Sequence, residues 1–79
     1  MTMAIKGKII RTEPTDDGHT VELWYAEFGE GSAKARIWRI FRDGEYAGYA
    51  AVPEDVEVNF NRVLNGYVRN PETGNYEKA

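Results

Sequence analysis

The sequence predicts an α+β fold, an antiparallel four-stranded meander sheet with one helix packed on one face, on three observations. Residues 4–52 contain four segments that alternate in strand period or are rich in β-branched and aromatic residues. Asp43-Gly44 is the strongest short hairpin signal in the chain. After Pro53, apolar residues recur at helical spacing. We expect a single domain over residues 1–79, with residues 70–79 forming either a short terminal hairpin or a frayed tail.

Turn-forming stretches separate the four predicted strands, which cover residues 4–11, 20–28, 35–42 and 45–52. The stretch EPTDDGH joins the first strand to the second, and the loop GEGSA precedes the third. The Asp43-Gly44 turn, of type I′, leads into the fourth strand. Connections this short predict that consecutive strands are antiparallel neighbours.

The segment after Pro53 is consistent with a helix or with a strand. Its apolar residues recur at helical spacing at Val56, Phe60, Val63, Leu64 and Tyr67. Glu54 and Asp55 suit a first helical turn, and Asn65-Gly66 would end the helix. Because Val56, Val58 and Phe60 also alternate, a strand is the competing interpretation, and the length of the pattern favours the helix.

The two-residue turn also predicts which residues face one another across the sheet. It places Trp38 opposite Tyr49, and a similar closure of the preceding loop places Trp24 opposite Trp38. These three rings would form one row across three strands. Arg36 and Arg42 would lie on the same face, which makes that face a candidate contact surface.

The helix is expected to cover the other face, because that face carries more aliphatic residues, including Val21, Leu23 and Ile37. The aromatic row would then lie on the outer side. Protein interfaces are enriched in Trp, Tyr and Arg, and rings on a sheet also stack on unpaired bases. The alternative is that the helix packs on the side that bears Ala26, Ala47 and Ala51.

Charge and composition exclude several classes of protein. Ten Lys and Arg against thirteen Asp and Glu give a net charge of -3, which argues against general affinity for phosphate backbones. The chain has no cysteine, which suits a reducing cytoplasm. No apolar run approaches the roughly 20 residues of a membrane span, and the N-terminal segment does not resemble a signal peptide. We expect a soluble cytoplasmic protein without a membrane partner.

Residue types that carry catalysis or bind metals are scarce. His19 and Ser32 are the single histidine and the single serine, and no motif links them. We therefore predict no enzymatic activity and no cofactor. Asp16, Asp17 and His19 are close in sequence, but a DDGH run between strands is more typical of a solvated turn than of a metal site. No metal site is predicted.

The element order and the stretch ARIWRIFRDGEYAGYA resemble the double-stranded RNA-binding fold and the sheet-type DNA-binding arms of phage integrases. This resemblance implies a nucleic-acid-binding module that uses the aromatic and basic face. The helix departs from the pattern, because it begins with acidic residues and carries Arg62 as its only cation before Arg69. Direct nucleic-acid binding is therefore the second hypothesis. A structural subunit of a larger assembly is the third.

In size, acidity and predicted architecture the chain resembles the small proteins with which phages disable host machinery, anti-CRISPR proteins above all. The resemblance implies a stoichiometric inhibitor, a monomer or homodimer, that binds a subunit of a CRISPR effector complex in the host cytoplasm. Acidic side chains would occupy a basic channel that otherwise receives DNA or guide RNA. The acids available for this role are Asp16, Asp17, Glu27, Glu30, Glu54, Asp55 and Glu57.

Overall fold

The structure, a computed structural model, describes residues 6–29 and 34–79. Its elements are β1 (Lys6–Pro14), β2 (Thr20–Phe28), β3 (Ala35–Arg42), β4 (Glu45–Ala50), α1 (Pro53–Leu64), β5 (Tyr67–Arg69) and β6 (Tyr76–Lys78). The first four strands form one antiparallel sheet in the order β1-β2-β3-β4, and β5 pairs with β6 in a separate sheet. The predicted α+β meander with one packed helix is confirmed.

The helix after Val52 is confirmed, and the alternative of a strand is wrong. Val52 is extended (φ -130°, ψ 148°), and α1 begins at Pro53, whose fixed φ suits the first helical turn. The helix ends at Leu64. Gly66 then adopts a φ of 92°, and its N–H donates to the carbonyl of Val63 at 3.0 Å, as the predicted glycine stop requires.

Residues 67–78 form a hairpin, so the terminal segment is not a frayed tail. Tyr67 faces Lys78, and Arg69 faces Tyr76. The hairpin packs against β4 and α1. It therefore lies along the outer edge of the main sheet.

The core lies between the sheet and α1. It contains Val21, Leu23, Trp38, Ile40, Ala47, Ala50, Phe60 and Val63. Val21 and Leu23 lie under the helix as predicted, but Ile37 lies on the opposite face and Ala47, a residue of the alternative, is in the core. We call the side of the sheet that bears Val21 and Leu23 the helix side.

The turn between β3 and β4 has the predicted geometry. Asp43 and Gly44 adopt φ values of 52° and 82°, and a type I′ turn requires positive φ at both positions. Arg42 faces Glu45, as the turn predicts. The hairpin signal in the sequence was therefore sufficient to locate this turn.

Beyond the turn, the predicted register is wrong because of a β-bulge. Phe41 faces Tyr46, but Ile40 faces Gly48, so β4 contains one extra residue at this point. Trp38 consequently faces Ala50 and does not face Tyr49. The turn sets only the first pairs, and the bulge shifts every later pair by one residue.

The register between β2 and β3 also differs from the prediction by one residue. Phe28 faces Ala35, whereas the prediction paired each residue of β2 with the β3 residue one position earlier. Trp24 therefore faces Arg39 and does not face Trp38. Because side chains alternate along a strand, a slip of one residue moves all of β3 to the opposite faces.

Candidate functional site

The predicted aromatic row is divided between the two faces of the sheet. Trp38 lies on the helix side with 8% of its surface exposed, and its ring centroid is 5.2 Å from that of Tyr25. Trp24 and Tyr49 both face Arg39, which places them on the other side. The prediction of an outer position is wrong for Trp38, which contributes to the core.

The face of the sheet away from α1, here called the open face, is largely apolar. By register and alternation its apolar and aromatic side chains are Ile9, Trp24, Ala26, Phe28, Ala35, Ile37, Phe41, Tyr46 and Tyr49, and its polar side chains include Thr12, Glu22 and Arg39. Ile9 exposes 45% of its surface and Tyr46 exposes 42%. The helix packs on the opposite side and the terminal hairpin at the β4 edge. In residues 6–29 and 34–79, no element forms a second layer over this face.

Trp24 lies flat on the open face. A Cβ atom at Gly7 would come within 1.9 Å of the indole ring, so the ring occupies the space that this glycine leaves. The guanidinium carbon of Arg39 lies 5.1 Å from the centroid of the Trp24 ring. Arg39 forms no salt bridge with a described residue. Its charge therefore remains available near the centre of an apolar surface.

The predicted partners of the aromatic row, Arg36 and Arg42, lie on the other side of the sheet from Trp24. They alternate with Arg39 along β3 and so project to the helix side. The guanidinium carbon of Arg36 lies 5.6 Å from the centroid of the Trp38 ring. The Nε atom of Arg42 is buried without a hydrogen-bond partner in the described part of the chain. The basic strand is thus split between two surfaces.

The candidate acidic residues do not form one patch. Asp16 and Asp17 lie in the turn between β1 and β2, and Glu27 lies near the far end of β2, roughly 20–25 Å away at about 3.3 Å per residue. The first turns of α1 carry Glu54, Asp55 and Glu57. Glu30 lies outside the described residues. Any single partner surface would meet only some of these acids.

Three of the acids already have partners within the protein, and Asp17 is one of them, because it accepts a hydrogen bond from the hydroxyl of Thr15 at 2.5 Å. Glu57 accepts a hydrogen bond from Nη1 of Arg11 at 2.9 Å. Glu27 accepts one from the hydroxyl of Tyr25 at 2.7 Å, which raises the pKa of Tyr25 above its usual value. These contacts are exposed to solvent, which screens them. A cation on a binding partner could therefore replace any of them at little cost.

His19 and Asp43 join the two turns at one end of the sheet. Nδ1 of His19 lies 2.5 Å from Oδ2 of Asp43, and Oδ1 of Asp43 accepts a hydrogen bond from the backbone N–H of Thr20 at 3.0 Å. The bond from Thr20, followed by the contact with His19, lowers the pKa of Asp43 below its usual value. The charged side chains of Asp17 and Arg42 also lie near the His19–Asp43 pair.

We expect the substitution Asp43→Asn to lower the free energy of unfolding near neutral pH, and this loss to shrink in acid. The pKa of Asp43 is lower in the folded protein than its unfolded value of about 3.9, so its charge stabilises the fold above that value. This contribution is lost as the pH falls through the lower, folded-state pKa. Urea unfolding between about pH 6 and pH 2 should show the advantage of the wild type over the variant shrinking below about pH 4.

A matched control for this prediction is Asp16→Asn, because Asp16 makes no hydrogen bond or ion pair with a described residue. The Asp16→Asn variant should therefore lose less stability than Asp43→Asn at about pH 6. An advantage of Asp43 that persists unchanged to about pH 2 would contradict the proposed role of its charge.

The aromatic and cationic residues of the terminal hairpin were missed by sequence reasoning. Tyr67 and Arg69 alternate on β5, and Tyr76 and Lys78 alternate on β6. The guanidinium carbon of Arg69 lies 4.8 Å from the centroid of the Tyr49 ring. The period-two alternation of ring and cation was visible in the sequence and could have identified both strands.

Metal-site geometry and membrane-spanning helices are both absent from residues 6–29 and 34–79. No group of three or more His, Cys, Asp or Glu side chains there could hold a metal ion. No helix in the same ranges has the length and hydrophobicity to cross a bilayer.

No protein-family model matches the chain, and neither the curated proteins nor the solved structures contain a match.

Proposed function

We propose that this protein is a non-enzymatic inhibitor that docks onto another protein through the open face. The observation that carries the proposal is the exposure of aliphatic and aromatic side chains on a sheet whose open face has no second layer among the described residues. Contiguous apolar surfaces on small soluble domains commonly mark interaction sites. In the part of the chain that the structure describes, the candidate acids lie in separate regions and the basic strand is split between two faces.

Docking through this face is energetically plausible because it removes apolar surface from water. Burial contributes about 25 cal/mol per Å² of apolar area, and aromatic residues and arginine dominate the binding energy of many interfaces. Trp24 is already held flat against Gly7. Little of its side-chain freedom remains to be lost on binding, which lowers the entropic cost of association.

Arg39 predicts the chemistry of the partner surface. It lies within the open face beside Trp24 and has no described carboxylate partner. A charge that is buried without a partner is costly, so the complementary surface should be apolar and should present a carboxylate opposite Arg39. A partner without such an acid would bind less tightly.

A subunit of a CRISPR effector complex is the partner class that the resemblance to anti-CRISPR proteins suggests. The net charge of -3 and the exposed Asp16 and Asp17 support this choice, because channels that hold DNA and guide RNA are lined with Lys and Arg. The turn that carries these two acids would enter the channel, and the open face would supply the apolar contact.

Nucleic-acid binding has weaker support. Sites for single strands combine stacking rings with a continuous basic groove. Here Trp24 and Tyr49 do flank Arg39 on the open face, but Arg36 and Arg42 project to the helix side. One cation among the rings gives little attraction for a phosphate backbone, so protein binding is the favoured function.

The experiment compares two charge reversals on the same strand. Arg39→Glu changes the open face, and Arg36→Glu makes the same change on the helix side. Each purified variant is immobilised and used to capture partners from a bacterial lysate, alongside the wild type, and the captured protein is identified. We expect Arg39→Glu to weaken capture by tenfold or more, since a desolvated charge pair contributes about 2 kcal/mol or more, and Arg36→Glu to retain it.

Two further measurements distinguish the competing functions. If the captured protein is a CRISPR effector subunit, the same variants are compared as inhibitors of target-DNA binding by the purified effector complex. Direct binding of an oligonucleotide, with an affinity that falls steeply with salt, would favour the nucleic-acid module instead. Equal capture by Arg39→Glu and the wild type would remove the open face from the proposal.

A further inference from the structure

A cleft separates α1 from the terminal hairpin on the outer side of β4. Its volume is about 870 Å³, which is within the range of sites that bind small molecules. Asn59 and Arg62 line it from α1, Arg69 and Tyr76 from the hairpin, and Tyr49 from β4. The cleft meets the open face only at the β4 edge, so it is a separate surface.

Both described arginines that line this cleft lie over a tyrosine ring. The guanidinium carbon of Arg62 is 5.4 Å from the centroid of Tyr76, and that of Arg69 is 4.8 Å from the centroid of Tyr49. Neither arginine forms a salt bridge with any described residue. In a protein of net charge -3, two cations without acidic partners in one cleft create a local positive potential.

The donors of Arg62 and Arg69 are largely free. Each guanidinium group carries five N–H donors in one plane. Nη1 of Arg62 contacts Oδ1 of Asn59 at 3.3 Å, and the remaining donors have no described partner. Planar groups with free N–H donors bind carboxylate and phosphate oxygens in a bidentate manner.

Among residues 6–29 and 34–79, Asp55 is the one acid that lines the cleft. It lies seven residues before Arg62 on α1, roughly 10 Å along the helix at about 1.5 Å per residue. The end of the cleft that Arg62 and Arg69 line is therefore positive, and the Asp55 end is less so. This asymmetry would orient a ligand with its anionic group toward the hairpin.

We infer that the cleft binds the oxyanion group of a small ligand, a carboxylate or a phosphate, between Arg62 and Arg69. Asn75, which also lines the cleft, adds an amide group, and Ala50 and Val58 line it with apolar surface. The ligand class is thus an anion with a compact uncharged body. Nothing in this inference depends on docking through the open face.

The test is a titration of the full chain with pyrophosphate and, separately, with citrate at constant ionic strength, followed by NMR of backbone amides and arginine side chains. We expect saturable shifts confined to residues 49–51, 55–62 and 67–76. Arg62→Gln and Arg69→Gln should each weaken binding by about tenfold or more, because each removes charge-assisted hydrogen bonds. Lys8→Gln, which removes the same charge from the exposed edge strand β1, should leave the affinity unchanged.

The choice of probes identifies the source of the oxyanion. Binding of pyrophosphate alone supports a phosphate ligand, and binding of citrate alone supports a carboxylate ligand. Arg62 is exposed on α1, so its variant should fold even if the Arg69 variant does not. The inference is overturned if neither probe binds, if all three variants bind equally, or if the shifts spread over every cation of the chain.

Discussion

Replacing Phe60 with alanine is expected to lower the free energy of unfolding by about 3–5 kcal/mol, the usual cost of deleting a buried aromatic side chain. Phe60 is 0% exposed and is the largest of the fully buried side chains of the core. The guanidinium carbon of Arg11 covers its ring at 4.2 Å from the centroid. Because small domains have a total stability of roughly 5–15 kcal/mol, this variant should be partly unfolded at 37 °C.

Urea unfolding followed by tryptophan fluorescence measures the effect, since Trp38 is buried in the same core. Val58→Ala is the matched control, because Val58 lies on the same helix and is 50% exposed. The control should change the free energy of unfolding by less than about 1 kcal/mol. A loss of less than about 1 kcal/mol for Phe60→Ala would show that α1 contributes little to the core.

The elements that sequence reasoning predicted correctly are those with a local physical cause. Two positive φ values at Asp43 and Gly44 follow from the residues themselves. The start of α1 at Pro53 and the stop at Gly66 follow from the same kind of cause. Strand period and helical spacing then located β1 to β4 and α1, since both depend on residues within a few positions of one another.

The register could not be predicted, because it depends on contacts that are distant in sequence. The bulge in β4 lets Ala47 enter the core and places Gly48 against the ring of Tyr76, which lies 28 residues later in the chain. Neither contact has a local signal. A slip of one residue was enough to move Trp38 from the outer face to the core.

The candidate site was therefore predicted only in part. Trp24 and Tyr49 were correctly expected on the outer face, with Arg39 between them in place of Trp38. Neither Arg36 nor Arg42, the cations expected beside them, lies on that face, because the register differs by one residue and moves β3 to the opposite faces. Charge and aromatic composition can be counted in a sequence, but their assignment to one face requires the register.

Replacing Gly48 with valine is expected to detach the terminal hairpin from the sheet and to cost about 1–3 kcal/mol, the usual penalty of overpacking. A Cβ atom at this position would lie 2.4 Å from the hydroxyl oxygen of Tyr76. That oxygen accepts a hydrogen bond from the N–H of Tyr49 at 3.2 Å and donates one to its carbonyl at 3.4 Å. Because Tyr76 thereby occupies the outer edge of β4, its displacement would expose an unpaired strand edge and promote association between chains.

Hydrogen exchange of residues 67–78 and urea unfolding measure the two consequences, and a double-mutant cycle identifies their cause. Tyr76→Phe keeps the ring and removes only the hydroxyl, so it should cost about 1 kcal/mol. If Gly48→Val acts by displacing this ring, then adding it to Tyr76→Ala should cost much less than it costs alone. Additive effects of Gly48→Val and Tyr76→Ala would show that valine destabilises the strand itself, and that the hairpin is held to the sheet by other contacts.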